Sequence, residues 1–172
     1  MNEVDSKKYL QIQRRRGHAP SCSVGAAICA VLLAGCADSR SAGPLSSSGG
    51  THKIGRPYTI NGITYVPRHE PDYNRVGLAS WYGAQFHGRR TANGEVYDMN
   101  RLSAAHPTLP LPSYVRVTNL DNGIVRIVRV NDRGPFVPGR IIDLSSRAAR
   151  ELQFRSRGLA RVRVEYVSPA PL

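Results

Sequence analysis

Alternation of apolar and polar residues is the feature that most restricts the fold of this chain. Residues 114–118 and 124–130 are rich in β-branched side chains and flank an Asp-Asn-Gly turn at 121–123, which predicts a hairpin. Residues 160–166 place Ala, Val and Tyr on one face and Arg and Glu on the other, as a half-buried strand requires. Strands of this kind can close into a small barrel that exposes no edge. We therefore expect a mainly β domain at residues 76–168.

One short helix is predicted at residues 145–152. Ser145 stands at its N-cap position, and Gly158 follows its end. Asp143 lies between an apolar strand and the start of the helix, so a capping role is expected for it. The domain is thus predicted to be a β-barrel with one or two short helices, followed by a C-terminal tail at residues 169–172.

The N-terminal region has the pattern of an export signal. Basic residues, among them Lys7 and Arg14, precede an apolar run at 24–35 that has about the length of the apolar part of a secretory signal. The run ends in Leu-Ala-Gly-Cys, which resembles the lipobox of bacterial lipoproteins. We therefore expect residues 1–35 to be a signal peptide that is removed, and Cys36 to carry the lipid that anchors the protein to a membrane.

Two segments are expected between the anchor and the barrel. Residues 36–51 are rich in Ser and Gly and should form a flexible tether. Residues 52–75 contain two short apolar stretches around Asn61-Gly62, a strong hairpin turn, and should form an arm that packs on the barrel.

Export determines the expected compartment and partners. Residue 37 is Ala rather than the Asp that usually retains lipoproteins at the inner membrane, so we expect the periplasmic face of the outer membrane. The 24 Lys and Arg residues against 12 Asp and Glu would suit nucleic acid, but export argues against that partner. Anionic polymers of the cell envelope remain, and the protein is expected to be a monomer.

Candidate catalytic side chains stand at turns and strand ends. Asp132 follows an apolar strand and precedes a Gly-Pro turn, so it could be a general acid at the barrel rim; alternatively, it only binds amides of its own turn. His106 precedes a proline and Glu95 follows the turn at Asn93, and either could be structural. No His, Cys, Asp and Glu cluster has metal-site spacing and no phosphate loop occurs, so no metal or cofactor is expected.

An aromatic pair stands on a predicted strand near residue 80. Ser80 and Tyr82 point to one side of this strand and Trp81 to the other. We expect Trp81 to be buried and Tyr82 to lie in a groove, where its ring could stack on a sugar. The alternative is that both rings belong to the core.

Five segments of the barrel region resemble the rare lipoprotein A family, in the same order and with similar spacing. They are GLASWYG at 77–83, FHGRRTANGEVYD at 86–98, LSAAHPTLP at 102–110, VNDRGPF at 130–136 and GRIIDLS at 139–145. The resemblance implies a six-stranded double-psi β-barrel, a fold shared with expansin-like proteins. It also implies a lytic transglycosylase that acts on septal peptidoglycan, preferably on glycan strands stripped of their peptides.

The resemblance also assigns roles to individual residues. Asp132 matches the catalytic acid and base of the family, and His106 and Glu95 match polar residues that support activity. The expected substrate-binding residues, at or beside these motif positions, are Ser80, Tyr82, Asn93 and Arg133. Because Arg133 should lower the pKa of Asp132, either burial or the charge of Glu95 is expected to raise it again.

The implied reaction breaks the bond between N-acetylmuramic acid and N-acetylglucosamine without water. The C6 hydroxyl of the muramic sugar closes on C1 and leaves a 1,6-anhydro end, so the second carboxylate of ordinary glycosidases is not needed. The cleavage is expected to be endolytic, and cell-division proteins are candidate partners beside the glycan strands. The alternative is a non-catalytic, expansin-like or division-associated lipoprotein that binds peptidoglycan with the same groove.

Overall fold

The computed structural model describes residues 49–172, so the predicted signal peptide, Cys36 and most of the predicted tether lie outside the described residues. The elements in chain order are β1 (Tyr58–Ile60), β2 (Ile63–Tyr65), β3 (Asn74–Tyr82), a 3-10 turn (Ala84–Phe86), β4 (Ser103–Ala105), β5 (Ser113–Asn119), β6 (Val125–Asp132), β7 (Arg140–Ser145), α1 (Ser146–Glu151) and β8 (Ala160–Pro169). Within residues 49–172, no helix has the length and apolar character needed to cross a membrane.

Six of the strands form a closed barrel in the order β3-β7-β4-β6-β5-β8. The pairs β3–β7 and β4–β6 are parallel, and the remaining pairs are antiparallel. This mixed, closed sheet with one short α-helix confirms the predicted mainly β, six-stranded double-psi barrel. In this order β8 lies across the barrel from β4, so the two strands face opposite sides of the molecule.

The barrel closes because its strands bury one face. The predicted hairpin is formed by β5 and β6, which are antiparallel with Val115 opposite Val128. Fully buried valines of these strands and of β8 fill the interior: Val115, Val117, Val128, Val130, Val162 and Val164. Each buried aliphatic side chain contributes roughly 1.5–3 kcal/mol, so this shared interior stabilises the closed sheet.

The helix α1 begins where the sequence predicts. The hydroxyl oxygen of Ser145 accepts the N–H of Ala148 at 3.1 Å, and Ala148 and Ala149 are buried against the barrel. Asp143 is completely buried in β7 and lies two residues before the cap. The prediction that Asp143 caps the helix is therefore wrong, because Ser145 satisfies the free amide.

The segment before the barrel forms the hairpin β1–β2. Asn61 and Gly62 have φ values of 51° and 78°, and a tight hairpin turn of the primed type requires positive φ at both central positions. Ile60 and the ring of Tyr58 bring the hairpin against Phe136 of the barrel. The arm is therefore part of the same packed structure as the barrel.

We expect the substitution Gly77→Ala to destabilise the barrel. A Cβ atom at Gly77 in β3 would lie 2.6 Å from Cγ2 of Ile141, which is closer than carbon atoms tolerate. The free energy of unfolding in urea should fall by about 1–3 kcal/mol. In an Ile141→Ala background the same substitution should cost less than half as much, because the clashing atoms are gone. Equal costs in both backgrounds would contradict this explanation.

Candidate active site

Asp132 is the last residue of β6 and lies beside a β-bulge. In the β4–β6 pair, Ala104 is opposite Val130 but Ala105 is opposite Asp132, so Asn131 is the extra residue. Bulges of this kind redirect the side chains that follow them. The main-chain N–H of His106 donates to the main-chain oxygen of Asp132 at 3.0 Å and fixes this end of the strand.

The two carboxylate oxygens of Asp132 have different surroundings. Oδ1 accepts the main-chain N–H groups of Ala92 and Arg133, each at 2.8 Å. No hydrogen bond within residues 49–172 reaches Oδ2, and the side chain is partly exposed. The carboxyl is therefore not wholly engaged in its own loop, and one oxygen can meet a substrate.

Burial raises the pKa of Asp132 to about 6. The backbone N–H groups of Arg133 and Ala92 and the charge of Arg133 lower it, but desolvation is the larger effect. Burial was one of the two compensations expected for the adjacent arginine. A carboxyl with this pKa is protonated in about half of the molecules at pH 6 and in about a tenth at pH 7, far more often than an ordinary aspartate, so it can act as a general acid.

Glu95 is held by three neighbouring side chains. Its Oε1 accepts from Nη2 of Arg129 at 2.6 Å and from Asn93 at 2.7 Å, while Oε2 accepts from Nε of Arg129 at 3.2 Å and from Asn131 at 2.9 Å. Burial would raise the pKa of Glu95, but the hydrogen bonds from Arg129, Asn131 and Asn93 outweigh it and lower the pKa. Glu95 is thus a fixed anion that joins the turn at 91–95 to β6.

Asn93 is buried within the same turn. Its amide donates to Glu95, and its Oδ1 accepts from the hydroxyl of Thr91 at 2.8 Å and from the N–H of Glu95 at 3.3 Å. We therefore revise the expectation that Asn93 binds substrate, because both of its polar atoms brace the turn that carries Ala92.

His106 is buried, and both of its ring nitrogens are engaged. Nδ1 accepts the N–H groups of Thr108 and Leu109 at 3.2 and 3.0 Å. Because Nδ1 is an acceptor, the proton of the neutral ring is on Nε2, which donates to the hydroxyl of Tyr73 at 2.9 Å. Burial, with the charge of Arg133 as a further cause, lowers the pKa of His106 to about 3. The ring is neutral, and its hydrogen bonds hold its own loop. The hydrogen bond from His106 to Asp132 is made by the main chain and not by the ring.

Arg133 is also buried. Its guanidinium donates to three main-chain oxygens, those of His106 at 3.2 Å, Leu109 at 2.6 Å and Ile54 at 2.6 Å. The expectation that Arg133 holds substrate is revised, because these carbonyls occupy the guanidinium. Arg133 instead joins the loop that follows β4 to the arm.

Ser80 belongs to a buried polar cluster. Its hydroxyl donates to Oδ1 of Asp143 at 2.5 Å and accepts from Nη1 of Arg140 at 2.8 Å, and Nη2 of Arg140 lies 3.4 Å from Oδ2 of Asp143. Because Ser80 is almost completely buried, we revise its predicted substrate contact. This cluster instead joins β3 to β7.

The two aromatic residues of β3 have the opposite arrangement to the predicted one. Tyr82 is buried and stacks on Tyr97, with ring centroids 4.3 Å apart. Trp81 is only half buried, its Nε1 donates to the carbonyl of Arg155 at 3.0 Å, and the guanidinium of Arg155 lies over its ring. The prediction of a buried Trp81 and a groove-lining Tyr82 is wrong, because Trp81 packs only partly against the main core and Tyr82 is buried in a second cluster with Tyr97 and Ala105.

Sequence reasoning missed several residues that support the site. Arg129 and Asn131 were not singled out, although their spacing of two places them on one side of β6, where both reach Glu95. Lys53 of the arm was also missed: its ammonium donates to the carbonyl of Ala92 at 3.1 Å. Among residues 49–172 there is no group of His, Cys, Asp and Glu that could hold a metal ion.

The fold and the site together define a double-psi β-barrel with one candidate general acid at its rim. A family model described as "Lytic transglycolase" matches residues 74–164, more than half of the chain. The chain therefore belongs to this lytic transglycolase family, which also confirms the resemblance seen in the sequence motifs.

Similar proteins carry the name endolytic peptidoglycan transglycosylase RlpA. The protein from Pseudomonas aeruginosa strain UCBPP-PA14 is 60% identical over 114 residues, which is 66% of this chain and 33% of that protein. The protein from Neisseria meningitidis strain MC58 is 54% identical over 66% of this chain and 48% of its own length. The Yersinia pestis protein is 42% identical over 84% of this chain and 45% of its own length. This chain thus spans a third to about half of these relatives.

Two solved structures are also similar. The Streptomyces papain inhibitor has a TM-score of 0.49 and 24% identity, and the similarity covers 58% of this chain and 99% of the inhibitor. The expansin of Clavibacter michiganensis has a TM-score of 0.45 and 22% identity over 58% of this chain and 53% of the expansin.

We expect Glu95→Gln to destabilise the protein, because it leaves the buried part of Arg129 without a charged partner. The free energy of unfolding in urea should fall by about 1–3 kcal/mol. Glu165→Gln is the matched control, since Glu165 faces Arg116 at 4.0 Å on the surface. That control should change stability by less than about 0.5 kcal/mol. Equal effects of the two substitutions would show that the Glu95 network is not a brace.

Proposed function

We propose that this protein is a peptidoglycan lytic transglycosylase that uses Asp132 as its only proton-transferring side chain. The observation that carries the proposal is the carboxyl of Asp132: two amides fix one oxygen, no hydrogen bond within residues 49–172 reaches the other, and the pKa is about 6. Membership in the lytic transglycolase family and the names of its relatives support the same reaction.

In the proposed reaction the protonated Asp132 gives its proton to the oxygen that links N-acetylmuramic acid to N-acetylglucosamine. The bond from C1 to this oxygen breaks, and the C6 hydroxyl of the muramic sugar forms a new bond to C1. The Asp132 carboxylate takes the proton that this hydroxyl loses and returns to its starting form. The amides of Ala92 and Arg133 stabilise the carboxylate in the interval because they already donate to Oδ1.

The other carboxylates near Asp132 favour a reaction without water. A hydrolytic glycosidase needs a second carboxylate, either as nucleophile or as base. Glu95 is fully used by Arg129, Asn93 and Asn131, and Asp143 is buried and bound to Ser80. An attacking group supplied by the substrate itself fits this arrangement.

The substrate-binding role that the sequence predicts for Arg133 is proposed to belong instead to exposed arginines in the loop before Ala92. Arg89 and Arg90 are both exposed and lie two or three residues before Ala92, whose N–H holds Asp132. Each muramic sugar carries a lactyl carboxylate, and arginine pairs well with carboxylates. The two side chains are therefore proposed to hold the glycan strand.

Cellular placement follows from the sequence alone. We propose that Cys36 is lipidated after removal of residues 1–35 and that the protein acts as a monomer at the periplasmic face of the outer membrane. Cell-division proteins are the proposed partners beside the glycan.

A second candidate is a module that binds glycan strands without cleaving them. The engagement of both His106 and Glu95 within the protein favours it, because Asp132 is then the one member of the three predicted catalytic side chains that can transfer a proton. The two candidates differ in one product, the 1,6-anhydro end.

The deciding experiment incubates the purified protein with peptide-free glycan strands and measures 1,6-anhydro-muramic ends by mass spectrometry. We expect these ends to form, and Asp132→Asn to reduce their rate by at least about 100-fold, because the proton donor is lost. Asp121→Asn is the matched control: Asp121 pairs with Arg157 on the surface, and its loss should leave the rate unchanged. Binding of the strands without any product would support the second candidate.

The pH dependence gives a further expectation. Since the active form of Asp132 is the protonated one, kcat/KM should fall as the pH rises above about 6, by about tenfold per pH unit. His106 should add no change above pH 4, because its pKa of about 3 keeps it neutral there. Steady-state rates on glycan strands between pH 4.5 and 8.5 measure the profile, and a rate that increases with pH across this range would contradict the assigned role.

A further inference from the structure

The arm places an aromatic cluster against Phe136, in the segment that follows Asp132. Tyr58 in β1 and Tyr65 in β2 are stacked, with ring centroids 5.3 Å apart and an interplanar angle of 20°. Both rings meet the edge of Phe136, at 6.0 and 5.5 Å. Phe136 is buried and follows Asp132 by four residues. The hairpin therefore presents its aromatic side to the part of the barrel that carries Asp132.

Several contacts hold this hairpin in place. The hydroxyl of Tyr58 donates to the carbonyl of Pro107 at 2.6 Å, and Pro107 follows His106, whose N–H binds the backbone of Asp132. The backbone of Lys53 pairs with Leu111 through two hydrogen bonds of 2.6 and 2.8 Å. The arm is thus attached to the loop after β4, and its position relative to the carboxyl is fixed.

Tyr65 differs from the other two rings of the cluster. Phe136 is buried, and the hydroxyl of Tyr58 is used by Pro107. Tyr65 is partly exposed, and its hydroxyl makes no hydrogen bond to any of residues 49–172. A half-buried ring that packs on two other rings, with a hydroxyl that residues 49–172 do not use, can bind a molecule that offers both C–H groups and hydroxyls.

We propose that Tyr65, supported by Tyr58 and Phe136, is a subsite for a pyranose ring of the glycan strand beside the bond that Asp132 cleaves. The proposal rests on the proposed function for its choice of substrate. A pyranose has an apolar face of C–H groups that stacks on an aromatic ring, and hydroxyls at its rim that can bond to the phenol. Tyr58 and Tyr65 lie outside residues 74–164, so of this subsite the matched family segment includes only Phe136.

A ring fixed beside the acid would contribute to binding and to alignment. Stacking a sugar on a rigid platform costs little entropy, because Tyr58 and Phe136 already restrict the rotation of Tyr65. The arm would then keep the strand in register while the proton moves from Asp132.

The test measures binding in the cleavage-impaired Asp132→Asn protein, with peptide-free glycan strands and soluble β-1,4-linked N-acetylglucosamine oligomers as probes. Tyr65→Leu should raise the Kd by about 3- to 10-fold, and Tyr65→Phe by less, because it keeps the ring and loses only the hydroxyl. Tyr166→Leu is the matched control: Tyr166 is a half-buried tyrosine of β8 with its ring edge-on to His69. It should not change the Kd.

A second measurement needs no variant of the tyrosine. The ring signals of Tyr65 in NMR spectra should shift when the oligomer is added, and those of Tyr166 should not. An unchanged Kd in Tyr65→Leu, an unmoved Tyr65 signal, or no binding of either probe overturns the subsite. If the unsubstituted protein forms no anhydro ends but binding depends on Tyr65, the subsite stands and the transglycosylase function is overturned. If ends form and Tyr65 has no effect, the reverse holds.

Discussion

The site depends on the pair of amide hydrogen bonds to Oδ1 of Asp132. They orient the carboxyl through Oδ1, do not involve Oδ2, and can stabilise the charge when the proton has left. One amide belongs to Arg133 and is set by the bulged end of β6, but the other belongs to Ala92 in a separate turn. The orientation of the Asp132 carboxyl therefore depends on the position of the turn that carries Ala92.

Most of the polar residues near Asp132 fix the turn that carries Ala92 and the loop that follows β4. Glu95 joins the turn to β6 through Arg129, and Lys53 of the arm binds the carbonyl of Ala92. The guanidinium of Arg133 donates to carbonyls of the loop after β4 and of the arm. Nδ1 of His106 holds the same loop, and its Nε2 joins it to Tyr73. Buried polar groups must be paired, and here the pairing builds the support of a single open oxygen.

Local sequence patterns were sufficient for several elements of the fold and for the position of Asp132. The alternation of apolar and polar residues predicted β5, β6 and β8, and Ser145 as an N-cap predicted the start of α1. The position of Asp132 between an apolar strand and a turn indicated a carboxyl at the rim of the barrel. These features depend on neighbours within a few residues, so the sequence contains them directly.

The roles of the supporting residues could not be predicted in the same way. Alternation separates Trp81 from Tyr82 but does not say which side of a strand with two aromatics faces the interior. The partners of His106, Glu95 and Arg133 lie 33, 34 and 79 residues away in Tyr73, Arg129 and Ile54, and only the closed barrel brings them together. Motifs therefore identified residues of the site but not which of them could meet a substrate.

The most direct test of the account is an NMR titration of the carboxyl carbon of Asp132, assigned by its absence in Asp132→Asn. A midpoint near pH 6 is expected, because burial outweighs the amides and the arginine. A midpoint at or below the ordinary aspartate value of 3.8 would contradict it, since the carboxyl would then hold no proton to give at the pH of the cell envelope.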